Sequence, residues 1–428
     1  MKKYAVAFPG QGSQYTGMGK KIYTHNKIAR DIFDEAGEVL GFDLCKLCFE
    51  GDIEEISRMD IVQPVILTTS VAAYQVFMQE IDERPLFLLG HSLGEISALV
   101  CAGAVKFSDA LRITCKRGQL MSSTIIADGY MIAIMGLDQK RIEDECSHIS
   151  RSGNIVEISN INSEEQIVIS GNTEAVNEAV TRLEQIGGRT MKVNTGNPFH
   201  CSLMRPVQEE FLKELEKYQY TPLELPVISN VDALPYQEDK TISQYLSDQL
   251  VNTVRWKECV DYLAKKEIYN IIEMRPQTII RNLLMTNDLG IDAYAADDES
   301  DHTHIKNITL SIGNGINNTK KSKDDLIQNC IAAMVSTKNR NWNNEVYSQK
   351  VADHYNEIIQ LQKDLIQDGV EASYEDMELA LDLLMEAMEA KKTPVKEQVK
   401  CIKDILYQTG LFDLFEHYLE EGARKSNG

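Results

Sequence analysis

The chain has 428 residues, 43% of them hydrophobic and 25% charged, with a formal net charge of −21 at pH 7. That length exceeds one ordinary core and predicts two or three domains, each burying its own apolar face. The acidity excludes broad nucleic-acid or anionic-membrane binding, since both would be repelled over most of the surface, and no apolar run of about twenty residues that could span a bilayer is expected.

In chain order, the first apolar run is Tyr4–Phe8, a strand so close to the start that no signal peptide is expected. A cytoplasmic protein is the expectation. The nine cysteines agree with it, being odd in number and mostly embedded in apolar segments, as reduced packed thiols are. Cys45-x-x-Cys48 has no second Cys or His pair nearby and lies among Phe42, Leu44, Leu47 and Phe49, so it reads as packing rather than as a zinc or redox site.

Up to about residue 126, apolar runs alternate with helix-like stretches, the pattern of a parallel sheet covered on both faces. The rhythm then changes. A strand (Met131–Met135), a helix (Gln139–Ser150), two strands (Val156–Ser159 and Gln166–Ser170), a helix (Thr173–Ile186) and a strand (Arg189–Val193) give the order βαββαβ of a ferredoxin-like unit. After Asn194 the α/β alternation resumes with Val227–Asn230, Ile242–Leu250, Trp256–Lys265 and Ile268–Glu273. The predicted class is therefore α/β: an α/β-hydrolase-like large domain (1–126 and 197–295) with an inserted ferredoxin-like small domain (127–196). A polar linker (296–322), centred on Gly313–Ser322, leads to a C-terminal helical extension (323–428). In that extension Val351, Tyr355, Ile358, Leu361 and Leu365 fall at helical spacing, Ser373 caps an amphipathic helix through Met388, and Thr393-Pro394 opens another.

Gly90-His91-Ser92-Leu93-Gly94 lies between the apolar run Leu86–Leu89 and the helix-like Glu95–Ala104. Strand, G-x-S-x-G and helix together make a nucleophile elbow, which exposes a serine at a helix N-terminus beside free backbone N–H groups. Such a serine needs a base. Of the eight histidines, His25, His148, His302, His304, His354 and His417 lie in polar or helical surroundings, and His91 adjoins the serine itself. His200 is set apart, because Asn197-Pro198-Phe199-His200 is where the chain returns from the inserted domain, at the place of a cleft.

Four motifs in one order extend this reading: Phe8-Pro9-Gly10-Gln11-Gly12-Ser13-Gln14, Gly90-His91-Ser92-Leu93-Gly94-Glu95, Arg117-Gly118-x-Leu120-Met121 and Phe199-His200-x-Ser202-Leu203-Met204. Together they resemble the malonyl-CoA:acyl carrier protein transacylase family, over roughly residues 1 to 295, and the tail is similar to that of stand-alone acyltransferases serving polyketide synthases. The resemblance implies that Ser92 attacks the thioester of malonyl-CoA and that His200 takes its proton. It further implies that the malonyl group passes to the phosphopantetheine thiol of an acyl carrier protein, with no metal or redox cofactor. The backbone N–H groups of Gln11 and Leu93 would hold the oxyanion, and the imidazole would be oriented by neutral groups around Gln249.

By the same resemblance Arg117 meets malonate's free carboxylate through two parallel charge-assisted bonds. Gln63 and Asn162 join the substrate site, and Leu93 and Phe199 match the malonyl-selecting rather than the methylmalonyl-selecting pattern. Arg112, Lys116, Arg189 and Lys192 are candidates for the basic patch that an acidic carrier protein needs on so acidic a chain. One stretch departs from the family's Glu-Val-Gly-Pro-Gly: here Glu273-Met274-Arg275-Pro276-Gln277 puts arginine where glycine permits an unusual turn. The alternative to a transferase is a hydrolase of the same fold clearing stalled acyl groups from carrier proteins. Such relatives tend to lack the arginine, so Arg117 favours transfer. A non-catalytic docking protein is the third reading and predicts no acyl-enzyme.

Overall fold

The computed structural model describes residues 3–81, 83–122, 128–150, 154–193, 197–237, 240–284, 289–309, 323–337, 339–341, 347–368, 370–409, 411–415 and 417–418. Among them the strands in chain order are β1 (Tyr4–Phe8), β2 (Phe87–Gly90), β3 (Gly129–Met135), β4 (Val156–Ile161), β5 (Gln166–Asn172), β6 (Arg189–Val193), β7 (Val227–Ile228), β8 (Asn270–Glu273) and β9 (Asp292–Ala295). The chain divides into two compact units, Met1–Ser311 and Ile312–Gly428.

In the first unit a five-stranded sheet runs in the order β7-β2-β1-β8-β9, with every pairing parallel. All five side chains of β1 are buried, as both faces of the sheet require. Tyr4, Val6, Phe8 and Leu88 join a core with helices Met59–Glu80, Leu93–Cys101 and Phe107–Met121. Ala5, Ala7, Leu89 and Ile228 face the other way, onto Trp256–Lys265 and Ile279–Leu284. The period-2 alternation of side chains thus assigns each residue of β1 to one of two helix layers.

The second sheet is antiparallel, in the order β4-β5-β3-β6. That is the ferredoxin-like order for a βαββαβ chain. One face packs Ile132, Ile134, Ile167 and Ile169 against helices Gln139–Ser150 and Thr173–Gln185. The other face, with Met131, Ala133 and Val168, turns toward the parallel-sheet core. The small sheet is tied to the segment before helix Trp256–Lys265, where Val254 N donates to Ser159 O (2.8 Å) and Ile161 N to Val254 O (3.0 Å).

Three expectations need correction. Met59–Glu80, 22 residues, is long and apolar enough to cross a membrane, against the expectation of no such run; most of its apolar window is buried in the core. The linker does not begin at residue 296, since Glu299–Asp301 forms a turn and His302–Thr309 a helix that buries Ile305 and Ile308. The polarity there is paired rather than solvated: Arg281 bonds Asp298 and Asp301 at 2.7 Å each, and His304 stacks on Tyr294. Residues 310–322, with the Gly313–Ser322 stretch, lie outside the described residues. Finally, the left-handed backbone of the Arg275 segment falls at Gln277 (φ 63°) rather than at Arg275, and the Arg275–Pro276 peptide bond is cis. Arg275 instead pairs with Asp297, whose second oxygen accepts from Gln277 N (2.8 Å) and Tyr15 OH (3.0 Å).

The second unit is helical, with Lys323–Ser336, Asp353–Asp368, Tyr374–Ala390 and Val395–Thr409 around Leu326, Cys330, Ile358, Leu381, Leu384 and Leu406. Ser373 caps its helix reciprocally with Asp376, as predicted. The buried ammonium of Lys391 donates to Met334 O and to Thr337 O (3.0 Å), a cation at the C-terminal end of helix Lys323–Ser336.

Helices Phe107–Met121 and Met59–Glu80 cross at Gly118, where a Cβ would lie 1.9 Å from Met59 O. Gly118→Ala must therefore separate them, at a cost of about 1–3 kcal/mol by analogy with overpacked cores. A thermal melt followed by circular dichroism checks this, and an unchanged midpoint contradicts it.

Candidate active site

The parallel strands deliver the site at their C-terminal ends, the usual place in an open α/β sheet. Gln11 follows β1, Ser92 follows β2 and Asn230 follows β7, and β1 lies beside β2 with Phe8 opposite Gly90. Close packing then forces the turn. A Cβ on Gly94 would lie 2.0 Å from Phe8 O, one on Gly90 1.9 Å from the Gly94 carbonyl carbon, and one on Gly10 2.5 Å from His91 O. The G-x-S-x-G spacing thus removes side chains where three backbones meet.

Ser92 itself sits at φ 52°, ψ −105°, a conformation that costs an ordinary residue about 1–3 kcal/mol. Asn230 holds it there. Its Oδ1 accepts from Ser92 N (2.7 Å) and its Nδ2 donates to Gly90 O (2.7 Å), clamping the turn from both sides.

Ser92 Oγ lies 2.8 Å from His200 Nε2, and His200 Nδ1 lies 2.8 Å from Gln249 O. A carbonyl can only accept, so Nδ1 carries the proton and Nε2 presents its lone pair to the serine hydroxyl. Burial, reinforced by the Arg117 cation, pushes the imidazole down to about 3. It is therefore a neutral base at physiological pH. The loop carrying it is anchored by Asn197 Nδ2 on Met121 O (2.8 Å), and just after it Ser202 N and Oγ both donate to Glu157 of β4 (2.7 Å each).

Arg117, 2% exposed, donates to Gln63 Oε1 (3.0 Å), Gln249 Oε1 (2.9 Å) and Ser92 Oγ (3.1 Å). Burial lowers its guanidinium to about 10, which leaves it charged at neutral pH. Gln249 Nε2 donates onward to Glu95 Oε2 (2.7 Å) and to Ser92 O (3.1 Å). Glu95 also accepts from Asn230 N (3.0 Å) and Tyr236 OH, and burial pushes its carboxyl up to about 7.

A cleft of about 580 Å³ lies over this cluster, lined by Gln11, Ser92, Leu93, Arg117, Asn162, Phe199 and His200 among others. Its far wall is the small sheet, through Met131, Ala133 and Val168. Leu93 opens its helix, so its N–H has no acceptor within the helix. Asn162 is occupied by protein at both ends, its Oδ1 accepting from His91 Nε2 (2.8 Å) and its Nδ2 donating to Gln166 Oε1 (2.8 Å). Gln63 meets the cluster through Arg117, whereas Gln249 contacts Arg117, His200 and Ser92 directly. Of the four basic candidates Lys192 lines the cleft, whereas Arg112 pairs with Asp109 and Lys116 with Glu210.

Two residues of the cluster were given no role by the sequence. Asn230 carried one signal, a polar side chain just beyond the C-terminal end of a parallel strand. Glu95 carried another, an ionisable group opening an otherwise apolar helix (Leu93–Cys101).

A model of the acyl transferase domain matches residues 6–287. The chain is 36% identical over 406 residues to a malonyl CoA-acyl carrier protein transacylase of Bacillus subtilis, covering 94% of this chain and 100% of that protein. It is 37% identical over 285 residues to the Escherichia coli (strain K12) protein of the same name, covering 66% and 92%. Among solved structures, an acyl carrier protein S-malonyltransferase from Vibrio cholerae superposes with a TM-score of 0.67 at 36% identity, over 70% of this chain and 98% of that one. A malonyl-transacylase in complex with a type II polyketide synthase acyl-carrier protein superposes at 0.68 with 34% identity, over 72% and 99%.

His200 is expected to stay neutral well below the usual imidazole range. In protein with 13C-labelled histidine, the resonance missing from a His200→Gln variant should not titrate between pH 5 and 8. A midpoint near 6.5 for that resonance contradicts the assignment.

Proposed function

The chain belongs to the malonyl-CoA:acyl carrier protein transacylase family, and we propose that Ser92 carries malonyl from CoA to the phosphopantetheine thiol of an acyl carrier protein, in trans for a polyketide synthase. The observation that carries the chemistry is Ser92 Oγ within hydrogen-bond reach of both His200 Nε2 and Arg117. Arg117 receives the malonyl carboxylate, which orients the thioester carbonyl toward Ser92. Oγ attacks the carbonyl carbon as its proton passes to His200 Nε2. The tetrahedral oxyanion is held by the N–H groups of Gln11 and Leu93, each worth about 3 kcal/mol of barrier in comparable sites.

The C–S bond then breaks, and the CoA sulfur leaves with the proton from the imidazolium. The carrier thiol enters by the reverse path: His200 takes its proton, sulfur attacks the seryl ester, and Ser92 recovers its hydrogen. Gln249 O keeps the imidazole tautomer through both halves. Phe199 stands beside the acyl α-carbon and disfavours an added methyl, a discrimination of about 10- to 200-fold for one such group.

The polyketide setting is supported by the second unit and by one relative, the malonyl-transacylase solved with a polyketide carrier protein. The B. subtilis protein matches along nearly the whole chain, second unit included, whereas the E. coli match covers 66% of it. We place the work in the cytoplasm, with Lys192 at the cleft for the acidic carrier.

Intact-protein mass spectra after brief exposure to malonyl-CoA should show a malonyl adduct that is absent in Ser92→Ala and moves to added phosphopantetheinylated carrier protein. An ester lost to water without transfer identifies a hydrolase instead. Arg117→Ala is expected to lower malonyl transfer about 100-fold, the order of a lost charge-assisted hydrogen bond, while gaining on acetyl-CoA relative to malonyl-CoA. Retained malonyl preference removes Arg117 from the acyl pocket. Truncation after residue 311 should spare Ser92 acylation but slow transfer to the synthase's own carrier protein; equal transfer rates contradict the polyketide role of the second unit.

A further inference from the structure

Glu95 is fully buried, lies one residue pair away from the reacting groups and has no part in the proton transfers described above. Its surroundings are all donors: Asn230 N, Gln249 Nε2 and Tyr236 OH. A buried guanidinium needs a counter-charge, because an uncompensated buried cation is costly. Yet among the described residues Arg117 makes no ion pair, and its hydrogen-bond acceptors, Gln63, Gln249 and Ser92, are all neutral. The nearest link to an anion runs through the Gln249 amide, which accepts from Arg117 on Oε1 and donates to Glu95 on Nε2.

This arrangement solves a conflict. A carboxylate directly on Arg117 would balance its charge but would occupy the fork that the acyl group's own carboxylate must enter. A carboxylate one amide away supplies the balancing charge and leaves the guanidinium bonded only to neutral groups, which an incoming anion can displace. The same negative charge also repels that incoming anion. We propose that Glu95 is a specificity-determining residue that acts through Gln249, serving as the detached counter-charge of Arg117 and setting how tightly the pocket holds a carboxylated acyl group. The inference rests on Arg117 being the receptor for that carboxylate.

The direction of the effect follows from Coulomb's law. With Glu95 neutralised, the acyl carboxylate becomes the sole anion available to a buried cation, so selection for malonyl over acetyl rises. Removal of a charge by ordinary structural damage would not raise it. The substitution Glu95→Gln is suited to the question because it keeps the side chain's size. Its amide oxygen can still accept from Asn230 N and Gln249 Nε2, and its NH2 can donate to Tyr236 OH, a hydroxyl able to reverse its role. Since burial raises the Glu95 carboxyl to about 7, the comparison belongs at pH 8.5, where the wild-type group is ionised.

The experiment measures kcat/KM for malonyl-CoA and acetyl-CoA with phosphopantetheinylated carrier protein in wild type, E95Q, R117A and E95Q/R117A. The expected result is a rise of about fivefold in the malonyl-to-acetyl ratio for E95Q, carried by a lower KM for malonyl-CoA, with no such rise when Arg117 is absent. An unchanged or lowered ratio in E95Q overturns the proposal, as does a rise that persists in the double variant. If instead R117A alone keeps the malonyl preference, the assignment of Arg117 fails first, and that outcome is read separately from the E95Q result.

Discussion

The meeting of three backbones, at the end of β1, at the Ser92 turn and at the first turn of helix Leu93–Cys101, sets the position of everything else in the site. None of the three tolerates a Cβ at the contact, since the distances at Gly10, Gly90 and Gly94 run from 1.9 to 2.5 Å. With side chains removed there, the loop after β1 and the helix N-terminus converge on one serine. Ser92 is left in a strained conformation, and strain persists only where neighbours over-determine it. Asn230 does so with two short hydrogen bonds to the turn's backbone.

Electrostatics is the second constraint. The site buries a guanidinium, an imidazole and a carboxyl within one hydrogen-bonded network, and each is shifted toward its neutral form by burial. For the imidazole that shift is useful, because a base must be unprotonated to accept a proton. For the guanidinium it is too small to remove the charge. Gln249 is the hub: its main-chain carbonyl fixes the imidazole, and its side-chain amide separates the cation from the anion. A single residue thus links His200 to Arg117.

The two sheets divide the labour. The parallel sheet supplies the nucleophile, its clamp and the candidate oxyanion donors from neighbouring strand ends, and the antiparallel sheet closes the cleft with an apolar face. Pairing between Ser159, Ile161 and Val254 ties the small sheet to the segment just after Gln249. The overall charge of −21 bears on encounters more than on chemistry, since long-range repulsion is screened within about 10 Å at 0.1 M salt while the buried network is not.

Much of this was legible in the sequence because it is local. The ferredoxin-like unit declared itself through period-2 and helical patterns, and helices Gln139–Ser150 and Trp256–Lys265 fall where those patterns end. The Ser92 turn was legible because steric exclusion at a tight turn demands glycines at fixed spacing. The Ser373 cap was legible because capping is a contact between residues three apart. What failed was environment. Met59–Glu80 passed unnoticed as an apolar run, and residues 299–309 read as solvated because their charges gave no hint of Arg281, some twenty positions earlier. The network of Glu95, Gln249, Arg117 and Asn230 spans more than a hundred residues of chain and joins side chains that carry no spacing signal. The sequence determined which local elements form and which serine sits on the turn; only the tertiary structure decided which charges balance one another, because burial and long-range proximity exist only once the chain has packed.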